Sequence, residues 1–213
     1  PGWEYSYGDG GVKHWVPDMD SPIFKEAHYR LIRELGARYD GHPDLDLVDI
    51  GTVGLWGEWH FSGANPPVPM PSAATQKAII DTYFEAFPTT PLLALLPDPN
   101  SEAMAGFTHA VSRGAGWRAD CLGDMGMFSD SWNHHEDSYP AAIRATRSEQ
   151  RWRDAPVAFE SCGTMQSWVD NGFDVEAILQ FALDHNVTYL NNKSDAIPRG
   201  YEDVVQDFLR RMG

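Results

Sequence analysis

The sequence predicts an α/β fold built on a parallel sheet. Short apolar runs alternate with amphipathic helical stretches along the 213 residues, the pattern of strand–helix units joined by right-handed crossovers. One run, residues 91–96, is apolar almost throughout, as a strand covered on both faces should be. No internal repeat, low-complexity tract or linker interrupts the chain, so residues 1–213 read as a single domain.

Five strands are expected, at residues 45–50, 91–96, 117–122, 156–159 and 187–190. The first is expected to continue through a glycine-interrupted segment as far as Glu58. Helices fit between them. Ser21-Pro22 looks like an N-cap followed by proline at the first helical position. Ile23, Phe24, Ala27, Leu31, Ile32 and Leu35 then recur at helical spacing, with Gly36 near the end. Ser72 caps a second helix whose Ile79, Ile80, Tyr83, Phe84 and Phe87 share a face. Further helices are expected over residues 101–113, 140–151, 175–185 and 201–212. The Pro/Gly-rich segment 63–71 falls between a strand and its helix, where a loop at the functional end of the sheet belongs.

Two architectures accommodate five parallel strands: a doubly wound sheet, or five of the eight units of a barrel. Residues 1–20 read as a loop rich in glycine and aromatics that leads into a helix with no strand before it. The chain also stops just after a helix. Both features favour a partial (β/α)8 TIM barrel comprising units four to eight, with the N-terminal three units absent.

Composition narrows the functions. Sixteen basic side chains against 31 acidic ones give a formal charge of −15, which repels phosphate backbones and anionic lipids and argues against nucleic-acid and membrane partners. No apolar run approaches a membrane span, and no signal peptide is present, although a chain beginning at Pro1 leaves an upstream segment open. Eight Trp, eight Tyr and ten Phe are many rings for a core of this size, and several Trp fall in predicted loops. Indole faces stack on sugars, so a carbohydrate substrate is expected; packing beneath long loops is the simpler account of any single Trp. Cys121 and Cys162 read as two buried free thiols. Neither Gly-x-Gly-x-x-Gly nor Gly-x-Ser-x-Gly occurs. His60, His134, His135, Asp120 and Asp124 could gather around a metal, but His-x-x-x-His, Cys-x-x-Cys and His-x-His spacings are missing. No cofactor and no metal are therefore expected.

The chemistry concentrates in two segments. In the first, Asp49 to His60, glycines at 51, 54 and 57 suggest close backbone approach, and Glu58 lies between Trp56 and Trp59. Indole faces on both sides would desolvate its carboxyl and raise its pKa, as a general acid requires. In the second, a short strand ends at Glu160; if Pro156, Ala158 and Glu160 share the inward face, its carboxylate points into the barrel mouth. Two glutamates at the C-terminal ends of separate strands stand where barrel active sites are built. Arg118, Asp120 and Asp124 lie along the third strand, and one could bind hydroxyls or orient Glu160, an Arg–Asp structural pair being the alternative. Trp132 precedes Asn133-His134-His135 in a long loop and is the expected stacking platform, with Trp15 in the N-terminal loop. Asn191, Asn192 and Lys193 end the last strand, within polar reach of a cleft.

With three units restored, Glu58 and Glu160 end strands four and seven. That arrangement resembles clan A of the retaining glycoside hydrolases, in which the acid/base ends strand four and the nucleophile strand seven. Arg38-Tyr-Asp-Gly-His-Pro-Asp44, leading to Val48-Asp-Ile-Gly51, looks like the helix-to-strand lead-in of such enzymes. More closely, Gly54-Leu-Trp-Gly-Glu-Trp-His60 and Leu190-Asn-Asn-Lys193 with Ile197-Pro198 are similar to bacterial β-galactosidase-like barrel proteins of largely unassigned function, in which a β-sandwich follows the barrel. The resemblance implies Glu58 as acid/base, Glu160 as nucleophile, and Trp56, Trp59 and His60 at the substrate. One departure stands out: the clan usually places Asn before the acid/base to bind the sugar 2-hydroxyl, and here that residue is Gly57. Asn191 or His60 would have to replace it. A carbohydrate-binding barrel without hydrolytic activity is the rival reading, and a metal-dependent hydrolase a weaker one.

Overall fold

In the computed structural model, which describes residues 1–8 and 10–212, five parallel strands pair in chain order: β3 (Val48–Asp49), β4 (Leu92–Leu95), β5 (Gly116–Leu122), β6 (Val157–Ser161) and β7 (Tyr189–Asn191). Strand order excludes one of the two expected architectures, the doubly wound sheet. A doubly wound sheet reverses direction at a switch point. Here every connection steps the same way, and crossovers of one hand then place all the helices on one face. The sheet curls accordingly into a half-barrel.

The helices are α1 (Pro22–Tyr39), α2 (Ala73–Ala86), α3 (Met104–Arg113), α4 (Tyr139–Thr146), α5 (Met165–Asp170), α6 (Val175–Asp184) and α7 (Glu202–Met212). Ser72 caps α2 by accepting from the Thr75 amide at 3.3 Å. The α5 turn, absent from the expected elements, is built by a capping box in which Thr164 and Ser167 serve each other's backbone amides. Alternation along β5 and β6 divides the two faces. Trp117, Ala119, Val157 and Phe159 join the hydrophobic core under the helices, while Arg118, Asp120, Ala158 and Glu160 take the other side, with Arg118 opposite Ala158 and Asp120 opposite Glu160 in the ladder.

Four expectations need correction. Residues 1–20 are not a loop: β1 (Gly2–Tyr5) and β2 (His14–Pro17) form an antiparallel hairpin, in register from Gly2↔Pro17 to Tyr5↔His14. The hairpin is tied to the segment after Glu58 by amide–carbonyl bonds both ways between Ser6 and Asn65, at 2.8 and 2.9 Å. The first sheet strand does not run on to Glu58. After Asp49 the Gly51 amide folds back to the Asp49 carbonyl (2.9 Å), and a short 3-10 turn, Leu55–Gly57, carries the chain to Glu58. The last strand starts two residues late because Thr188 spends its amide and hydroxyl on Val157. Finally, Cys121 and Cys162 are not free thiols but a disulfide. A register shift between Asp120 and Leu122 sets Cys121 beside the end of β6, with the two Cα atoms 3.9 Å apart.

Gly36 lies inside α1, where alanine would ordinarily be the better helix former by about 1 kcal/mol. It is buried against α2, and a Cβ there would collide with the Ala86 carbonyl. The contact should override the propensity. Gly36→Ala is expected to cost about 1–3 kcal/mol, seen as a lower melting temperature by roughly 2–4 °C per kcal/mol. A melting temperature unchanged or raised would contradict this packing of α1 on α2.

Candidate active site

At the C-terminal end of the half-barrel, three carboxylates converge. One oxygen each from Glu58, Asp120 and Glu160 lies within 4.8 Å of the other two. Asp120 and Glu160 get there as ladder partners on β5 and β6. Glu58 gets there by the turn, whose conformation depends on Gly57. That residue sits at φ +81°, and a Cβ on it would strike the Gly51 carbonyl. Any side chain at this position, asparagine included, would meet that carbonyl.

The Arg118 guanidinium, only 14% exposed, lies between Asp49, at 2.9 Å from its Nε, and Glu160, which touches its Nη1. Lys193 Nζ takes the other Glu160 oxygen at 2.7 Å. Both oxygens of Glu160 are thus held by cations. Arg118 fulfils the structural pairing and the orienting role together, although its acidic partner is Asp49. Burial, with the charge of Glu160, pushes the Asp49 carboxyl up despite Arg118.

Glu58 differs from its expected state. Its neighbours in sequence do not sandwich it. Trp56 (φ +51°) turns out to solvent at 67% exposure, whereas Trp59 (φ +55°) turns into the core at 4% and donates its indole N–H to the Ile50 carbonyl at 2.6 Å. Hydrogen-bonding groups face the carboxyl instead. The Ser62 amide donates to His60 Nδ1 at 3.1 Å, which in the neutral ring leaves the proton on Nε2, 3.3 Å from Glu58 Oε2. Burial favours the neutral acid, but the hydrogen bonds from His60 and Asp120 and the charges of His60 and Arg118 prevail and hold Glu58 down to about 2. The raised carboxyl is Asp120. Burial, the bond to Glu58, and the charges of Glu58 and Glu160 push it to about 7 against the pull of Arg118. The Glu58–Asp120 pair therefore keeps one proton, on Asp120, until pH rises through about 7.

A cleft of about 540 Å³ opens over this pair. Glu58, Asp120, Trp56, Trp59, His60 and Trp132 all line it, as do Tyr7, Asp98 and Phe128, which sequence reasoning missed. Two groups of rings stand in its wall. Tyr7 meets Trp56 edge-on with centroids 4.9 Å apart, and Trp132 meets His134 edge-on at 4.6 Å. Glu160 and Arg118 are not among the lining residues; they adjoin the cleft behind Asp120. Three expected substrate-binding residues fall elsewhere. Asp124 is fully buried and holds its own loop together, accepting from the Met127 amide and pairing with His134 Nδ1 at 2.6 Å. Trp15 is 64% exposed on the hairpin, outside the cleft lining. Asn191 is exposed on β7 opposite Glu160, also outside that lining, whereas His60 lies in it.

The histidines considered for a metal do not assemble. His134 is engaged by Asp124, and His135 is buried with Nε2 accepting from the Gly123 amide. Among the described residues, the donor set that does assemble is the three carboxylates. It would suit a hard divalent cation by chemistry. However, Arg118 and Lys193 already supply the positive charge there, and a cation would have to compete with them for Glu160.

The site makes stability depend on pH. Asp120 has a higher pKa folded than unfolded, so its contribution is fully present below the ordinary value of 3.8 and is lost as pH rises through about 7. Asp120→Asn, which keeps a donor for Glu58 and an acceptor for the Cys121 amide, should remove that loss. Melting temperatures across the range should show the variant gaining on the native chain from below pH 4 to above pH 7. Parallel curves would place the proton elsewhere. The chain matches no protein-family model and no curated protein.

Proposed function

We propose that this protein is a glycoside hydrolase that cleaves its substrate with retention, using Glu58 as acid/base and Glu160 as nucleophile. The observation that carries the proposal is the approach of Glu58 and Glu160 oxygens to within 4.8 Å. Retaining enzymes set their carboxyl groups ~5–5.5 Å apart, whereas inverting enzymes leave roughly 6.5–9.5 Å for a water molecule. The aromatic walls of the cleft suit a sugar ring.

In the first step the carboxylate of Glu160 bonds to the anomeric carbon as the glycosidic C–O bond breaks, and Glu58 delivers a proton to the departing oxygen. That proton comes from Asp120 by way of Glu58, so both carboxyls end the step as carboxylates. In the second, Glu58 takes a proton from water, whose oxygen bonds to the anomeric carbon and releases Glu160. Arg118 and Lys193 fix Glu160 in place, and His60 is poised beside Glu58 to donate to a hydroxyl.

The same proposal treats the half-barrel as units four to eight of a (β/α)8 barrel. Supporting it are the chain-order sheet with β3 and β7 unpaired at its edges, and an exposed apolar set on α1: Ile23, Leu31, Leu35 and Tyr39. Further units would cover those surfaces.

A second reading, carbohydrate binding without hydrolysis, is favoured by one observation: Glu160 lies outside the cleft lining with both oxygens engaged. Assays on a panel of aryl glycosides separate the two. Hydrolysis predicts that Glu58→Gln and Glu160→Gln each lose about 10²-fold or more in kcat, and that azide restores turnover to Glu160→Gly. It also predicts that kcat/KM falls as pH rises through about 7, where the shared proton leaves. Sugar binding that survives both substitutions, with no turnover by the native chain, would establish the second reading instead.

A further inference from the structure

We infer that the cleft selects a cationic sugar: its ligand is an oligosaccharide of amino sugars with free, protonated amines. The inference deepens the proposal above and rests on it for the sugar, not for the charge. Three carboxyl groups line the cleft, Glu58, Asp98 and Asp120, and among the described residues no lysine or arginine does. Its basic side chains are two histidines, each already engaged with a carboxylate: His60 with Glu58 and His134 with Asp124. Acidic groups collect on many surfaces, but here they share a concave site with the rings of Tyr7, Trp56, Phe128 and Trp132. An ammonium is favoured by an aromatic face as well as by a carboxylate, so both kinds of wall act on the same group.

Asp98 makes the case sharper. It follows β4, accepts the Asn100 amide at 2.8 Å, and has no ion pair among the described residues. A neutral sugar seated over it returns hydroxyl hydrogen bonds but no charge for the water it displaces. A protonated amine supplies the missing counter-charge. The formal charge of −15 also draws cations toward the molecule and disfavours anionic sugars.

The test is calorimetric titration of the full chain with a glucosamine tetramer, its fully N-acetylated counterpart and the glucose tetramer of the same linkage, at a pH where the amines are protonated. The amine ligand should bind at least about tenfold tighter than either neutral one, equivalent to about 1.4 kcal/mol, and the preference should shrink with added salt. Asp98→Asn, an exposed loop substitution whose fold circular dichroism can verify, should cut the preference severalfold, with the amine ligand losing affinity relative to both neutral ones. Equal affinities for all three ligands, tighter binding of a neutral one, or binding of none would overturn the inference. The glycosidase proposal fails separately. Amine binding without hydrolysis of any glycoside would sink that proposal and leave this one standing; hydrolysis without amine preference would do the reverse.

Discussion

The arrangement of this molecule turns on the Arg118 guanidinium, which joins Asp49 to Glu160 across the curl of the sheet. Four carboxylates, Asp49, Glu58, Asp120 and Glu160, meet at one strand-end surface, and the obligate cations among them are Arg118 and Lys193. Like charges this close cannot all ionise where solvent is largely excluded. The excess is relieved at Asp120, whose carboxyl is pushed up to about 7. Two cations hold Glu160 in place, and the proton on Asp120 makes that neighbour an acid. The division of labour that the proposed hydrolysis requires would then come from the electrostatics of the fold, before any substrate is present.

Backbone detail sets the geometry on which this depends. The parallel register puts Asp120 beside Glu160, but no strand delivers Glu58. The turn at Leu55–Gly57 does, and it closes only because Gly57 adopts a positive φ against the Gly51 carbonyl. The same turn sends Trp56 outward to the cleft wall and Trp59 into the core, where its indole N–H fastens the turn to Ile50. On β5 the irregularity at Cys121 places the disulfide directly after Asp120, and Tyr139 donates its hydroxyl to the Asp120 carbonyl. The proton-bearing carboxyl is held from both sides of its own backbone.

Much of this was legible in the sequence where the information is local. Alternation along residues 117–122 put Arg118 and Asp120 on one face, and a strand ending at Glu160 put its carboxylate beside them. What was not legible depends on contacts between distant segments. Asp49 falls in the expected strand at residues 45–50, but its pairing with Arg118, 69 positions later, does not show in the sequence. The flanking indoles misled because neighbours in sequence need not be neighbours in space: positive φ at Trp56, Gly57 and Trp59 turns the chain between them. The proton on Asp120 requires Glu58, 62 positions earlier in the chain, to arrive at the same point. The cysteine pair spans 41 residues, and the hairpin rests on two short runs flanking a glycine-rich turn that reads equally well as loop. Asp124 looked like a polar reach into the cleft, yet its acceptors are consumed by its own loop.

The central claim is that Glu160 attacks carbon while the Glu58–Asp120 pair moves the proton. It is tested most directly by trapping the covalent intermediate with activated glycosides in which fluorine replaces the hydroxyl beside the anomeric carbon, followed by peptide mass spectrometry. The account predicts one glycosyl adduct, on the peptide that contains Glu160, and none in Glu160→Gln. An adduct on another residue, or steady hydrolysis of the parent glycoside with no adduct and with inversion at the anomeric carbon, would contradict it.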